Sequence, residues 1–121
     1  MSDILIITAA MFFLAMGSLG LLSPQRLGKP LGIVLTSGDA RTEVRAVYGG
    51  YGVVMAALLT YAALTDSATG DGITLTAACA LTAMAVTRLL SYPVDRPQGI
   101  FPTWAAVGAE LVIAAALAIT L

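Results

Sequence analysis

The sequence contains no histidine and only one cysteine, Cys79. The absence of histidine removes the commonest general base and the commonest haem and zinc ligand. A single cysteine cannot form a disulfide within the chain. Proton chemistry would therefore depend on carboxylates and tyrosine hydroxyls alone, so we expect no enzymatic activity, no metal site and no cofactor.

Charge is also scarce, because only 11% of the 121 residues are charged and 59% are hydrophobic. A soluble domain carries roughly 25% charged residues, so this chain has too little charge to cover a surface that faces water. The net charge of −1 gives no basic surface, and we expect no nucleic-acid partner. The composition indicates one domain, residues 1–121, with the lipid bilayer as its main partner.

The apolar residues are concentrated in four runs, each near the length of about 20 residues that crosses a bilayer as a helix. The predicted spans are about residues 4–22, 40–64, 73–92 and 102–121, and Pro93 is expected to end the third. A bilayer offers no water to backbone groups, so every span should be helical. The sequence thus predicts an all-α fold, an integral membrane four-helix bundle.

The first run could instead be a cleaved signal peptide. Asp3 precedes it, where a signal peptide has Lys or Arg, and no clear small-x-small cleavage site is present before Ser23. We interpret the run as a retained helix.

The distribution of basic residues predicts the orientation. The six basic residues all lie in or beside the first and third connections: Arg26, Lys29, Arg41, Arg45, Arg88 and Arg96. The second connection and the termini hold none. Cytoplasmic loops carry the excess of Lys and Arg. An up-down-up-down bundle with both termini on the periplasmic side is therefore expected.

This topology gathers charged side chains into one layer on the cytoplasmic side. Charges inside a membrane span cost on the order of 3 kcal/mol and normally face a partner or a wet cavity. Glu110 lies about 12 Å into the fourth span and has no charged neighbour there, so we expect Arg88 as its partner, with Arg45 second. The layer is either a structural pairing of helices or a ligand or transport site. Its members are Glu43, Arg45, Arg88 and Glu110, and Tyr48 could bond to it or belong to an aromatic belt.

Small residues in the second span predict close helix packing. Two small-xxx-small patterns occur there, and such patterns let helix backbones approach each other. The residues expected at the contact are Ala46, Gly49, Gly50, Gly52 and Ala56.

The chain contains the motif E-V-R-A-V-Y-G-G (residues 43–50), the motif T-R-L-L-S (87–91) and a last helix with Glu110. Together these features resemble a bacterial family, the domain of unknown function 4345. The likeness extends from about Pro24 to the end, although the family pattern usually has Gly where this chain has Thr87. The resemblance implies a small four-helix protein of the bacterial inner membrane, with the charged layer as its common core. It implies no activity.

Two functions from different classes remain open. The first is a non-catalytic structural or accessory subunit that packs in a larger membrane complex or a homo-oligomer. The alternative is a binding or transport module that holds an anionic lipid headgroup or a small polar ligand at the cytoplasmic Arg/Glu layer.

Overall fold

The computed structural model describes residues 2–97 and 100–121, and of Ile100 and Phe101 it describes the backbone alone. This part of the chain is mainly helical and has no strand, as the sequence predicts. It contains five helices, α1 (Ser2–Leu22), α2 (Pro24–Gly28), α3 (Gly38–Leu64), α4 (Ala68–Asp95) and α5 (Ala105–Ala118). The fifth helix arises because the first connection folds into the short α2.

Three of these helices, α1, α3 and α4, are long and apolar enough to cross a membrane. The last apolar helix, Pro102–Ala118, which includes α5, is shorter. With 27 and 28 residues, α3 and α4 are about 40 Å long, more than the hydrocarbon thickness of about 30 Å. Their polar ends can therefore lie at headgroup level while their centres lie in hydrocarbon.

Serine caps define where α3 and α4 begin. The Ser37 hydroxyl accepts a hydrogen bond from the Ala40 amide, and the Ser67 hydroxyl accepts one from the Gly70 amide, each at 3.0 Å. Such caps satisfy an amide that has no partner within the helix. The Ser67 cap explains why α4 starts at Ala68, earlier than the span expected from residue 73.

Helix α4 continues past Pro93, where the sequence was expected to end it, and stops at Asp95. A proline removes only one helical hydrogen bond, and here the loss falls in the last turn. Arg96 then takes a left-handed conformation (φ 45°), and its amide donates to the Tyr92 carbonyl at 2.8 Å. Because Pro97 follows, Arg96 is disfavoured in the helical conformation, which explains the stop.

The first and third connections meet at one end of the molecule. After α2, a 3₁₀ turn, Lys29–Leu31, ends at Gly32, which has a φ of 74° that suits glycine. This 3₁₀ turn contacts the π-helical turn Ile100–Trp104, which leads into α5. Since α1 ends and α3 begins beside the first connection, all six basic residues lie in the half of the molecule nearest this end.

The core lies between helices that are rich in alanine. Helix α1 packs closely along α3, α4 packs along α5, and α3 contacts α4 while α1 contacts α5. The alanines leave little side-chain bulk between the backbones, which favours short interhelical distances. The largest fully buried side chains are Leu59, Leu81, Leu117, Thr74 and Pro24.

Candidate functional site

The most buried charge in the described chain belongs to Glu110. Its side chain is 3% exposed, and its Oε1 lies 2.5 Å from Nε of Arg88. Arg88 lies near the end of α4 and Glu110 in the first half of α5, so the ion pair joins two consecutive antiparallel helices. It is the one ion pair between residues that the structure describes. The structure thus pairs Glu110 with the first of its two expected partners.

The second carboxylate oxygen of Glu110 is left without a partner. Its Oε2 is buried and accepts no hydrogen bond from any residue of the described ranges 2–97 and 100–121. A buried polar atom without a partner costs about 1–3 kcal/mol, more when the group is charged. Such an atom indicates a strained or functional position, so the pair is the leading candidate site.

Arg88 also has unused hydrogen-bonding capacity. Its side chain is 34% exposed, and Nε alone among its nitrogens donates to a residue in the described part of the chain. An arginine has five N–H donors in a planar fork, so the Nη groups remain available. Arg88 lines a shallow groove of about 350 Å³ together with Ala83, Met84 and Thr87.

Thr87 differs from three threonines that precede it on α4. The hydroxyls of Thr74, Thr76 and Thr82 each donate to the carbonyl four residues earlier, at 2.8–3.0 Å. The Thr87 hydroxyl makes no hydrogen bond with residues that the structure describes, and its side chain is exposed. This position carries a free hydroxyl next to the free donors of Arg88.

The other members of the expected layer lie apart from this pair. Nη1 of Arg45 donates to the Leu21 carbonyl near the end of α1. Glu43 is exposed and Tyr48 is half-buried. Within the described ranges, no hydrogen bond or ion pair connects either of them to Arg88 or Glu110. The five residues therefore do not form one hydrogen-bonded cluster. Arg45 links α3 to α1 through a hydrogen bond, and Arg88 links α4 to α5 through an ion pair.

Helices α1 and α3 make a backbone-to-backbone contact at glycine. A Cβ on Gly52 would lie 2.7 Å from Cα of Gly17, and a Cβ on Gly17 would lie 2.6 Å from the Val53 amide nitrogen. Gly20 meets Gly49 in the same way, with 2.8 Å between its hypothetical Cβ and the Gly49 nitrogen. No side chain fits at these positions without separating the helices.

The five expected packing residues divide between two faces of α3. Gly49, Gly52 and Ala56 are buried, and both glycines contact α1. Ala46 is exposed, and a Cβ on Gly50 would meet only the Arg45 carbonyl oxygen, at an ordinary 3.9 Å. Sequence reasoning also missed their partners on α1, Gly17 and Gly20, which are three residues apart and so do not form a small-xxx-small pattern with each other.

A π-helical segment interrupts the α-helical geometry of α3. Residues Arg45–Gly50 wind with wider turns, so that the Tyr51 amide donates to the Ala46 carbonyl five residues earlier. The wider turn changes the rotational position of everything before it relative to everything after it. The segment coincides with the A-V-Y-G-G part of the motif, so the motif encodes a local backbone geometry as well as a set of side chains.

Two aromatic rings lie near the same end of α4 and α5 as the Arg88–Glu110 pair. Tyr92 on α4 and Trp104 at the start of α5 lie with their ring centroids 5.3 Å apart, and both are partly exposed. Aromatic belts of this kind occur at the boundary between hydrocarbon and headgroups. Arg88 lies one helical turn, about 6 Å, before Tyr92.

The described residues hold no group of three or more His, Cys, Asp and Glu side chains that could bind a metal ion. Cys79 is a free thiol on the exposed surface of α4. Of the charged groups in this part of the chain, the Arg88–Glu110 pair therefore stays the leading candidate for binding chemistry.

Comparison with known proteins identifies a family. The family model described as "Domain of unknown function (DUF4345)" matches residues 1–121, the whole chain. The match confirms the resemblance carried by the motifs and extends it over α1, beyond the expected limit near Pro24. Comparisons with curated proteins and with solved structures found no match.

Proposed function

The chain belongs to the DUF4345 family, and we propose that it is a small, non-catalytic protein of the bacterial inner membrane that crosses the bilayer four times. In this proposal both termini are periplasmic, and the first and third connections are cytoplasmic. Three long apolar helices and a fourth, shorter one support the crossings. The collection of all six basic residues toward one end supports the orientation.

Within the membrane, the proposed role is that of a structural or accessory subunit, in a larger complex or a homo-oligomer. The observation that supports it is the apolar outer surface of the described helices, which either lipid or the helix of a partner can cover. Examples are Ile4, Met11, Val54, Leu75, Leu90 and Val112. With such short connections, nearly all of the surface available to a partner is the side of a helix.

Purification from native membranes in a mild detergent tests this role. Native mass spectrometry of the tagged chain should give the mass of a complex with fixed stoichiometry, composed of further copies or of another membrane protein. Its dissociation by a harsher detergent should leave a folded monomer. A particle that is monomeric in every mild detergent and in native nanodiscs would refute the accessory role.

A second function is favoured by one specific observation. Among the described residues, Glu110 Oε2 is buried without a partner and the Nη groups of Arg88 make no hydrogen bond, and Arg88 lines an open groove. A purely structural ion pair would be expected to satisfy both groups. A binding or transport module that holds an anionic lipid headgroup or a small polar ligand at this pair is therefore the alternative. Retention of a defined ligand by the purified chain would separate it from the accessory role.

A further inference from the structure

The groove at Arg88 has a polar end and an apolar wall. Arg88 and the free hydroxyl of Thr87 form one end, and Ala83 and Met84 continue the wall along α4 away from Tyr92. If Tyr92 and Trp104 mark the headgroup boundary, the apolar part points toward the bilayer centre and the polar part toward the headgroups. A site of this form fits an amphiphile with its charge at the boundary and its chain in the hydrocarbon.

The free N–H donors of the site suit an anion. Glu110 engages Nε of Arg88 and leaves the Nη donors, which form a planar pair that suits a phosphate. Arg88 lies only about 6 Å below the aromatic rings, and a long arginine side chain reaches that far by extending toward the boundary. Its 34% exposure shows that the guanidinium is accessible at the surface while Glu110 is not.

We propose that this groove binds one anionic phospholipid from the cytoplasmic leaflet, with its phosphate on the Nη groups of Arg88 and the Thr87 hydroxyl and one acyl chain along Ala83 and Met84. The inference rests on the alternative function above and names its ligand class. Glu110 holds the guanidinium through Nε, and its buried position keeps it away from the phosphate. Any regulation of the bundle by lipid would act through the contact between α4 and α5.

The test compares lipids that share an acyl composition. The detergent-purified chain is titrated with dioleoyl-phosphatidylglycerol or dioleoyl-phosphatidylcholine, and bound lipid is counted by native mass spectrometry. The parent should retain one phosphatidylglycerol in preference to phosphatidylcholine. The double variant Arg88→Gln/Glu110→Gln removes the guanidinium without leaving a buried charge, and it should bind phosphatidylglycerol about tenfold more weakly. Arg96→Gln, at the exposed end of the same helix, is the matched control and should bind normally.

Two further variants keep the proposal testable if the double variant fails to fold. Thr87→Val removes the hydroxyl at nearly constant volume, and Ala83→Phe fills the apolar wall; both positions are exposed. Each should weaken phosphatidylglycerol binding several-fold. Competition with inorganic phosphate distinguishes the source of the anion. If Ala83→Phe binds the lipid normally and inorganic phosphate displaces it, the ligand is a free phosphate and the lipid proposal is wrong.

Two other results would also overturn the proposal: equal retention of the two lipids by the parent, or the same loss in Arg96→Gln as in the Arg88 variant. Extraction of membranes with alkaline carbonate checks the underlying assignment separately. A chain that carbonate removes is not an integral membrane protein, and the proposed function fails as a whole. A chain that stays in the membrane but binds no lipid leaves the accessory role intact.

Discussion

Gly52 of α3 lies so close to Gly17 of α1 that a Cβ on Gly52 would be 2.7 Å from the Gly17 Cα. The atoms that block a side chain are backbone atoms, which cannot rotate away. The approach of the two helices is therefore limited by glycine itself, and the tightest packing in the bundle depends on two residues that have no side chain.

Alanine at this contact should destabilise the protein. Gly52→Ala and Gly17→Ala each force α1 and α3 apart, and the expected loss in the free energy of unfolding is about 1–3 kcal/mol, typical of overpacking. Thermal unfolding in detergent, followed by circular dichroism, measures it.

Gly50→Ala is the matched control on α3, because its Cβ meets only an atom at 3.9 Å. The gain in helix propensity should leave it neutral or more stable by up to about 1 kcal/mol. Equal melting of Gly50→Ala and Gly52→Ala would contradict the packing.

Arg45 should stabilise the contact between α1 and α3 by a separate mechanism. Its Nη1 donates to the Leu21 carbonyl, one of the last carbonyls of α1, which have no partner within the helix. A cation at a helix C-terminus contributes about 0.3–1 kcal/mol when exposed, as Arg45 is. Arg45→Met should lower stability by that amount, and Arg26→Met, an exposed change in α2, should not. A loss with Arg26→Met as large as with Arg45→Met would show a general effect of charge.

The proposed orientation predicts a pattern of labelling in intact cells. Replacement of Cys79 by Ala removes the natural thiol, after which single cysteines report each end of the bundle. Ser2→Cys and Ala68→Cys should react with a membrane-impermeant maleimide from outside. Gln25→Cys, in the first connection, should react only after the cells are opened. Labelling of Gln25→Cys from outside, with protection of the other two, would reverse the orientation.

The helices were predictable from the sequence because apolar runs of about 20 residues have few alternatives in a bilayer. The expected partner of Glu110 followed from the same topology, because Arg88 and Glu110 fall at similar distances from one connection. The boundaries of α4 were less predictable. They depend on the Ser67 cap and on a Pro93 that falls in the last turn, where a proline costs only one hydrogen bond.

The faces of α3 divide as a regular helix would divide them. At 3.6 residues per turn, Gly49 and Gly52 are three residues apart and share one side, whereas Gly50 lies about 100° from Gly49. The structure accordingly places Gly49 and Gly52 against α1 and leaves Gly50 without a close neighbour. The charged layer was less predictable, because topology gives the depth of a residue along its helix and not the side to which it points. Arg45 therefore reaches the end of α1 rather than Glu110.

The Arg88–Glu110 pair predicts an asymmetric response to mutation. Arg88→Leu leaves Glu110, which is 3% exposed, without a partner for either oxygen among the described residues, and should cost about 3–5 kcal/mol. Glu110→Leu leaves an arginine that is already one-third exposed and can turn toward the headgroups, so its cost should be smaller.

The double change should recover much of the loss from Arg88→Leu, because neither charge then remains in the core. Unfolding of the four proteins in detergent, the parent included, gives the coupling energy directly. Arg96→Leu, outside the pair and just beyond the end of α4, should melt like the parent. If the double change is stable but no longer retains an anionic lipid, the pair serves binding as well as packing. If the two losses simply add, the two side chains do not stabilise each other, and the ion pair cannot be what holds α4 against α5.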